Sequence, residues 1–197
     1  MDEISILTLR GAELEPWLEH VAALRIRVFR DFPYLYDGSL EYEANYLRTY
    51  VESDSAVCVL ALDGERVVGA STGLALSDET AEFRRPFEQA GIDTASIFYC
   101  AESVLLPEYR GSGVYRRFFR ERERQAERLG MRICVFCAVQ RPDDHPLRPA
   151  DYQPLDPIWC HFGYAPRPDL ITGFNWKDID RAEASDKPMQ FYLKALS

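Results

Sequence analysis

The stretch Tyr109-Arg110-Gly111-Ser112-Gly113-Val114-Tyr115 lies between the apolar run 95–106 and a long polar segment with helical periodicity. This order predicts a strand, a glycine-rich turn and the start of a helix. Such a turn exposes several backbone N–H groups at the positive end of the helix dipole, and both features favour a bound phosphate or pyrophosphate. A single Gly-x-Gly is a weak signal, so the surrounding chain has to supply the context.

The composition limits the classes of protein to which the chain can belong. It has 197 residues, of which 47% are hydrophobic, so residues 1–197 are expected to form a single domain around one core. The formal net charge of −9 argues against binding to nucleic acid or to an anionic membrane surface. No apolar run approaches the roughly 20 residues that span a bilayer, and no basic-then-apolar leader is present. A cytoplasmic location is therefore expected.

The five cysteines predict free, mostly buried thiols rather than a metal site or disulfides. They are Cys58, Cys100, Cys134, Cys137 and Cys160, and most of them lie in apolar, strand-like runs. Cys134 and Cys137 have the spacing of a C-x-x-C motif, but three steps along a strand place their side chains on opposite faces. No second cysteine pair completes a zinc site, so no metal is predicted.

Hydrophobic periodicity predicts the other elements around the turn. Strands are expected at residues 4–10, 56–62, 66–76, 95–106, 131–139, 171–176 and 189–193. Helices are expected at 13–29, 39–51, 77–89 and 156–162, and from the end of the glycine-rich turn to Leu129. Asp63-Gly64 between two β-rich runs is the signature of a hairpin, and Ser39 is a suitable helix cap.

Two loops are candidates for binding a substrate. The aromatic segment 32–38 contains Tyr34 and Tyr36, which either pack on the core or line a pocket. The proline-rich run 140–156 cannot be regular structure, and it contains Arg141, His145 and Arg148 among several acids. Acids would suit a cationic acceptor and arginines a carboxylate-bearing one, and the sequence does not choose between them.

Two charged residues fall in apolar patterns. Glu102 interrupts the run 95–106, and Arg122 intrudes on the buried stripe of the arginine-rich helix after the turn. A carboxylate in such a strand is a candidate catalytic group, either as a base or as an orienter of the substrate. The alternative is that Glu102 pairs with a core arginine such as Arg122 and only holds structure. Arg122 itself either snorkels to the surface or meets a carboxylate.

The order of elements resembles the GNAT superfamily of N-acetyltransferases over nearly the whole chain. Two motifs carry the resemblance most specifically. They are the passage from Val104 to Gly113, with its Pro107-Glu108-Tyr109-Arg110-Gly111 core, and Cys160-His161-Phe162-Gly163-Tyr164. The resemblance implies a mixed α/β (α+β) fold with a mostly antiparallel central sheet, flanking helices and a strand-turn-helix acetyl-CoA site. It also implies that the cosubstrate is acetyl-CoA and that the partner is a small-molecule amine, and it leaves open a homodimer.

Carried over residue by residue, the resemblance assigns two sets of acetyl-CoA contacts. Ser103, Val104 and Leu105 would bind the pantetheine arm. The pyrophosphate turn would comprise Arg110, Gly111, Ser112, Gly113, Val114, Tyr115 and Arg116. Two departures stand out, because Tyr115 replaces the usual Gly or Ala, and Trp159 stands where many members carry a tyrosine that acts as general acid.

The chemistry that the resemblance implies requires a base for the ammonium of the acceptor and, optionally, an acid for the departing thiolate. Glu102 is the candidate base. An indole cannot release a proton at neutral pH, so the acid is sought among Cys160, His161 and Tyr164, with His161 as the candidate. The function predicted is acetyl transfer to a primary amine in a ternary complex. The alternatives are a non-catalytic acyl-CoA binder on the same fold and a nucleotide-phosphate enzyme, although the turn lacks the ending of a Walker loop.

Overall fold

The computed structural model describes residues 4–196. Within this range the chain forms eight strands and five α-helices. The strands are β1 (Ser5–Leu9), β2 (Val57–Asp63), β3 (Arg66–Ala75), β4 (Ile97–Tyr99), β5 (Ser103–Leu105), β6 (Ile133–Val139), β7 (Ala165–Lys177) and β8 (Ala184–Ala195). The α-helices are α1 (Leu18–Phe29), α2 (Leu40–Glu52), α3 (Ala81–Gln89), α4 (Val114–Arg128) and α5 (Asp156–His161).

The strands form one sheet in the order β1-β2-β3-β4-β6-β8-β7, with β5 paired to β3 beside this path. All pairings are antiparallel except that of β4 with β6, which is parallel. Helices flank the sheet, and α1 and α4 both pack against β3. The predicted α+β class with a mostly antiparallel sheet is confirmed.

The predicted strand 95–106 is wrong in one respect, because it is divided into β4 and β5. Ala101 N–H donates to Thr72 O, while Thr72 N–H donates to Glu102 O. Two residues thus oppose one, which is a β-bulge. Hydrophobicity does not reveal the break, since Ile97, Val104 and their neighbours are buried on both sides of it.

Beyond the bulge the sheet opens into two halves. β4 pairs with β6 as far as Tyr99 and Val135, after which β5 follows β3 and β6 follows β8 to its end at Val139. Leu106 N–H donates to Val68 O, so the even-numbered residues of β5 bond to β3. Because bonding directions alternate along a strand, the backbone groups of Ser103 and Leu105 face the opening.

The remaining elements follow the sequence closely. The Asp63-Gly64 hairpin is confirmed, with Gly64 at φ 58°, and the Ser39 hydroxyl caps α2 by accepting from Tyr42 N–H. The predicted helix 13–29 begins as a 3₁₀ helix, Gly11–Trp17. The two closing strands are longer than predicted, because β7 and β8 form an extended hairpin whose outer residues are polar. No helix in the range 4–196 is both long and apolar enough to cross a membrane.

Candidate active site

The glycine-rich turn leaves a row of backbone donors at the start of α4. Gly111 and Gly113 have φ of 77° and 83°, in the left-handed region that glycine adopts without strain. The first helical bond runs from Arg117 N–H to Gly113 O at 3.4 Å, so the N–H groups of Val114, Tyr115 and Arg116 have no intrahelical acceptor. This arrangement is suited to an anion.

Three contacts fix the turn against the sheet. The Tyr109 hydroxyl donates to the Asp63 carboxylate at 2.6 Å, which ties the turn to the β2–β3 hairpin. Ser112 Oγ donates to Tyr109 O. Arg110 Nε donates to Leu105 O at 3.4 Å, so this guanidinium lies at the end of β5, whereas Arg116 is exposed on the first turn of α4.

The opening between β5 and β6 is a cavity of about 280 Å³, called here the larger cavity. Its walls come from the bulge and β5 on one side, β6 on the other, and α4 and α5. Ser103 lines the cavity, whereas the side chain of Val104, on the other face of β5, is fully buried. The cavity reaches from Ser103 of β5 to Tyr115 in the first turn of α4, so it can hold part of an extended ligand whose anionic end lies at the turn.

Tyr115 and Trp159 contact each other across the wall of the larger cavity. The Trp159 indole N–H donates to the Tyr115 hydroxyl at 2.9 Å, and both residues line the cavity. Burial raises the pKa of Tyr115, so the phenol keeps its proton at neutral pH. Tyr115 and Trp159, the two residues that differ from the GNAT pattern, are therefore joined by a hydrogen bond that links α4 to α5.

A second cavity, of about 110 Å³, lies beside α1 and α2 and is called here the smaller cavity. Five residues line both cavities: Phe29, Tyr34, Ala101, Glu102 and Cys137. The two cavities therefore meet at the bulge that carries Glu102. A group bound in one cavity can therefore approach a group bound in the other beside Glu102.

Glu102 belongs to a buried cluster of one arginine and two glutamates. Arg25 Nε donates to the Glu43 carboxylate, and Arg25 Nη1 is in ion-pair contact with Glu102 Oε1, although not in hydrogen-bond geometry. Glu43 is 0% exposed and Glu102 8% exposed. Burial alone would lower the pKa of Arg25, but the carboxylate of Glu102, Tyr46 and Glu43 outweigh it and raise the pKa.

The two sequence interpretations of Arg122 are wrong. Its side chain is 2% exposed, so it does not snorkel, and within residues 4–196 it forms no ion pair with a carboxylate. Arg122 Nη1 donates instead to the backbone oxygen of Glu102 at 3.3 Å, and its guanidinium lies over the Phe119 ring. Glu102 therefore pairs with Arg25, which sequence reasoning missed, and Arg122 braces the bulge from α4.

The five candidate acceptor residues lie in three different places. Tyr34 and Tyr36 line the smaller cavity. Arg141 and Arg148 line the larger cavity, and His145 lies outside both, within 5.8 Å of the Phe32 ring.

The two arginines are held by partners within the chain. Arg141 donates to both carboxylate oxygens of Asp178 at 2.8 Å and to two backbone carbonyls, and Arg148 pairs with Asp143.

The residues considered as general acid do not gather at the cavities. His161 is exposed at the end of α5 and lines neither cavity. Cys160 is also exposed. Tyr164 is buried with its hydroxyl donating to Glu123 at 3.0 Å. The hydroxyl-bearing side chains at the junction are instead tyrosines, with Tyr34 on both cavities and Tyr115 on the larger one.

Glu79 is a buried acid near the cluster, and it yields a prediction about stability. It is 5% exposed, and burial raises its pKa from 4.5 to about 7. The folded protein then binds more protons than the unfolded chain between these two values, so stability falls as pH rises through this window. We expect a loss of about 3 kcal/mol between pH 4.5 and 7.5 from this group.

The measurement is urea unfolding of the wild type and of Glu79→Gln at a series of pH values. In the variant, the free energy of unfolding should fall less steeply as pH rises. The variant should therefore be more stable than the wild type at pH 8. A variant whose slope matches that of the wild type would show that Glu79 ionises normally.

Among residues 4–196, no group of three or more His, Cys, Asp or Glu side chains is arranged to hold a metal ion. Four of the five thiols are buried and that of Cys160 is exposed.

Comparison with known proteins identifies the fold. No protein-family model matches the sequence, and no curated protein matches it. Among solved structures, an acetyltransferase of the GNAT family from Streptococcus pneumoniae has a TM-score of 0.61 at 12% identity, covering 98% of this chain and 100% of that chain. yncA from Salmonella typhimurium, assigned as an acetyltransferase and solved with acetyl-CoA, has a TM-score of 0.61 at 9% identity, with 100% and 95% covered.

A third neighbour is the Drosophila melanogaster polyamine N-acetyltransferase, which forms N-acetylagmatine. Its TM-score is 0.59 at 12% identity, covering 98% of this chain and 100% of that chain. The protein thus has the fold of the GNAT acetyltransferases, and the resemblance seen in the sequence is confirmed at the level of the fold. Since a fold hosts several functions, the activity has to be argued from the site.

Proposed function

We propose that this protein is an acetyl-CoA-dependent N-acetyltransferase that acts on the primary amine of a small molecule by direct attack in a ternary complex. The observation that carries the proposal is the junction of the two cavities at Glu102. Tyr115, in the first turn of α4, lines the larger cavity, and the smaller cavity shares with it the five residues around Glu102. Two substrates in these cavities would meet at one carboxylate.

The residues of the turn and of β5 fit acetyl-CoA. The free N–H groups of Val114, Tyr115 and Arg116 suit a pyrophosphate, and a Cβ at Gly111 or Gly113 would contact nothing within 4 Å, so the approach to these amides is open. Ser103 lines the larger cavity, and the backbone groups of Ser103 and Leu105 face away from β3, where they suit the amides of a pantetheine arm. Acetyl-CoA supplies the thioester carbonyl that the amine attacks and the thiolate that leaves.

Glu102 is the residue proposed to act on the acceptor. A protonated amine must lose a proton before it attacks, and a carboxylate at the junction is placed to accept that proton or to orient the amine. Arg25 is shared between Glu102 and Glu43, so it neutralises only one of the two carboxylates. The bulge carries Glu102 to the junction, and Arg122 and the Ser71 hydroxyl hold the bulge by donating to Glu102 O.

Ligand-induced stabilisation tests the proposal at the level of binding. A ligand that binds only the folded state at 100 times its Kd adds about 2.7 kcal/mol of stability, which is roughly 5–10 °C in Tm for a domain of this size. We expect this shift with acetyl-CoA and none with ATP or NAD at equal concentration. A shift with ATP alone would favour a nucleotide-phosphate enzyme instead.

The alternative of a non-catalytic acyl-CoA binder has one observation in its favour. Tyr115 and Trp159 replace the small residue and the tyrosine that the GNAT pattern leads one to expect at these places, and they bond to each other. This alternative predicts stabilisation by acetyl-CoA without release of CoA in the presence of any amine.

A further inference from the structure

The smaller cavity has an unusual lining for its size. Nine of its sixteen lining residues are aromatic, and three are charged: Arg25, Glu43 and Glu102. Ring faces attract cations because their quadrupole is negative at the centre. Arg25 already uses this attraction, since its guanidinium carbon lies 4.5 Å from the centroid of Tyr46 and 5.1 Å from that of Phe29.

The charges of the cavity do not balance. One arginine faces two carboxylates, so the cluster carries a formal charge of −1 in a site where all three groups are buried. Buried charge is costly unless it is paired. A single additional positive charge would balance the cluster.

One carboxylate oxygen of the cluster has no compensating partner. Glu43 Oε1 is buried and accepts no hydrogen bond from the residues that the structure describes, 4–196. The Tyr36 hydroxyl lies near it, and burial followed by the charge of Glu43 raises the pKa of this tyrosine. Glu43 borders the smaller cavity, but its side chain is 0% exposed, so its negative charge acts on a ligand there without direct contact.

Three cations near the cavities, Arg141, Lys187 and Arg148, are held by partners within the chain. Arg141 and Lys187 both contact Asp178 and approach the Trp176 ring, but neither lines the smaller cavity. Lys187 Nζ donates to two backbone carbonyls and to the Ser185 hydroxyl. Arg148 contacts Asp143 and the rings of Phe32 and Tyr152. The sequence left open a cationic or a carboxylate-bearing acceptor, and these contacts favour the first.

We propose that the smaller cavity binds a cationic primary amine that carries no carboxylate, with its ammonium against Glu102, which shares Arg25 with Glu43, and its body against the aromatic rings. This inference rests on the proposed function, which places the acceptor in this cavity. When the ammonium gives its proton to Glu102, Arg25 and Glu43 remain a neutral pair. The cluster is thus balanced both before and after the proton moves.

Amines paired with their parent amino acids provide the test. Tyramine and tyrosine, histamine and histidine, and putrescine and ornithine differ within each pair only by a carboxylate. With wild-type protein and acetyl-CoA, release of CoA should show a kcat/KM at least 100-fold higher for one or more of the amines than for its amino acid. Without acetyl-CoA, the same amine should raise the Tm and its amino acid should not.

A substitution at Glu43 links the preference to the cluster. Glu43→Gln removes the surplus charge and should lower the preference for the amine about tenfold, mainly through KM, with stabilisation by acetyl-CoA unchanged. Glu41→Gln is the matched control, because it makes the same change at an exposed position on the same helix. It should leave the preference as it is in the wild type.

The possible outcomes separate this inference from the proposed function. Equal or better use of the amino acids, or an amine preference that Glu43→Gln does not alter, would overturn the inference while acetyl transfer stands. Stabilisation by an amine without stabilisation by acetyl-CoA would support the cavity assignment and refute the proposed function. If Glu43→Gln does not fold, the comparison of amines with their parent amino acids in the wild-type protein still tests the proposal. A wild-type cavity that binds neither member of any pair is not the site proposed.

Discussion

Glu102→Gln is expected to lower kcat for CoA release at saturating amine by about 100-fold or more, with the Kd for acetyl-CoA within about twofold of the wild type. General-base catalysis contributes roughly 10²–10⁴-fold, and the amide has the shape of the carboxylate but cannot accept the proton. The substitution also leaves Arg25 with Glu43 as a neutral pair, so the fold should tolerate it. Steady-state kinetics and calorimetric titration of acetyl-CoA measure the two quantities.

The matched control is Glu79→Gln, which alters another buried acid that lines neither cavity. It should retain the wild-type rate at pH 7, so that any loss in Glu102→Gln is specific to the junction. A Glu102→Gln variant with an unchanged rate at saturating amine would remove Glu102 from the mechanism and leave it a structural partner of Arg25.

Gly111→Asp is expected to weaken acetyl-CoA binding by about 10- to 100-fold. The new carboxylate would lie beside the amides of the turn and repel a pyrophosphate, and charges about 4 Å apart interact by roughly 1–4 kcal/mol between bulk water and a protein surface. Asp and Asn tolerate the positive φ of this position better than other side chains. A Cβ there contacts nothing within 4 Å. Calorimetric titration at low and high salt measures the effect, which should shrink as salt rises.

Gly111→Asn separates charge from shape, because it differs from the aspartate only by the amide group. Its affinity for acetyl-CoA should remain within about threefold of the wild type. Equal losses in the two variants would show that the backbone or the space at Gly111 matters rather than charge. No loss in either would place the pyrophosphate elsewhere.

Sequence patterns predicted the parts of the fold that depend on local interactions. The Asp63-Gly64 hairpin, the Ser39 cap and the strand-turn-helix around Gly111 each depend on residues close in the chain. The same holds for α4, whose buried Phe118, Phe119 and Ala126 repeat with helical spacing. The aromatic segment with Tyr34 and Tyr36 was also identified as a candidate pocket wall, and it lines the smaller cavity.

The features that the sequence did not predict depend on contacts between distant segments. Glu102 was singled out from its apolar surroundings, but its partner Arg25 lies on α1, where it looks like one more polar residue of an amphipathic helix. The division of the strand 95–106 leaves no trace in hydrophobicity, because β4 and β5 are both covered by other elements. Arg122 is satisfied by a backbone oxygen, which no side-chain pattern encodes. Glu43 gives no clearer signal, since it also lies on a helix with an exposed polar face and only the folded chain shows that it is 0% exposed.

In the proposed reaction, an acetyl group passes from acetyl-CoA to an amine at the junction of the two cavities. The most direct measurement is a turnover of acetyl-CoA labelled with ¹³C in the acetyl group, in the presence of tyramine, histamine and putrescine, followed by NMR and mass spectrometry of the products. We expect an N-acetylated amine formed in proportion to the CoA released, and a much slower reaction with Glu102→Gln. Acetyl-CoA that remains intact with all three amines, or label found only in acetate, would contradict it.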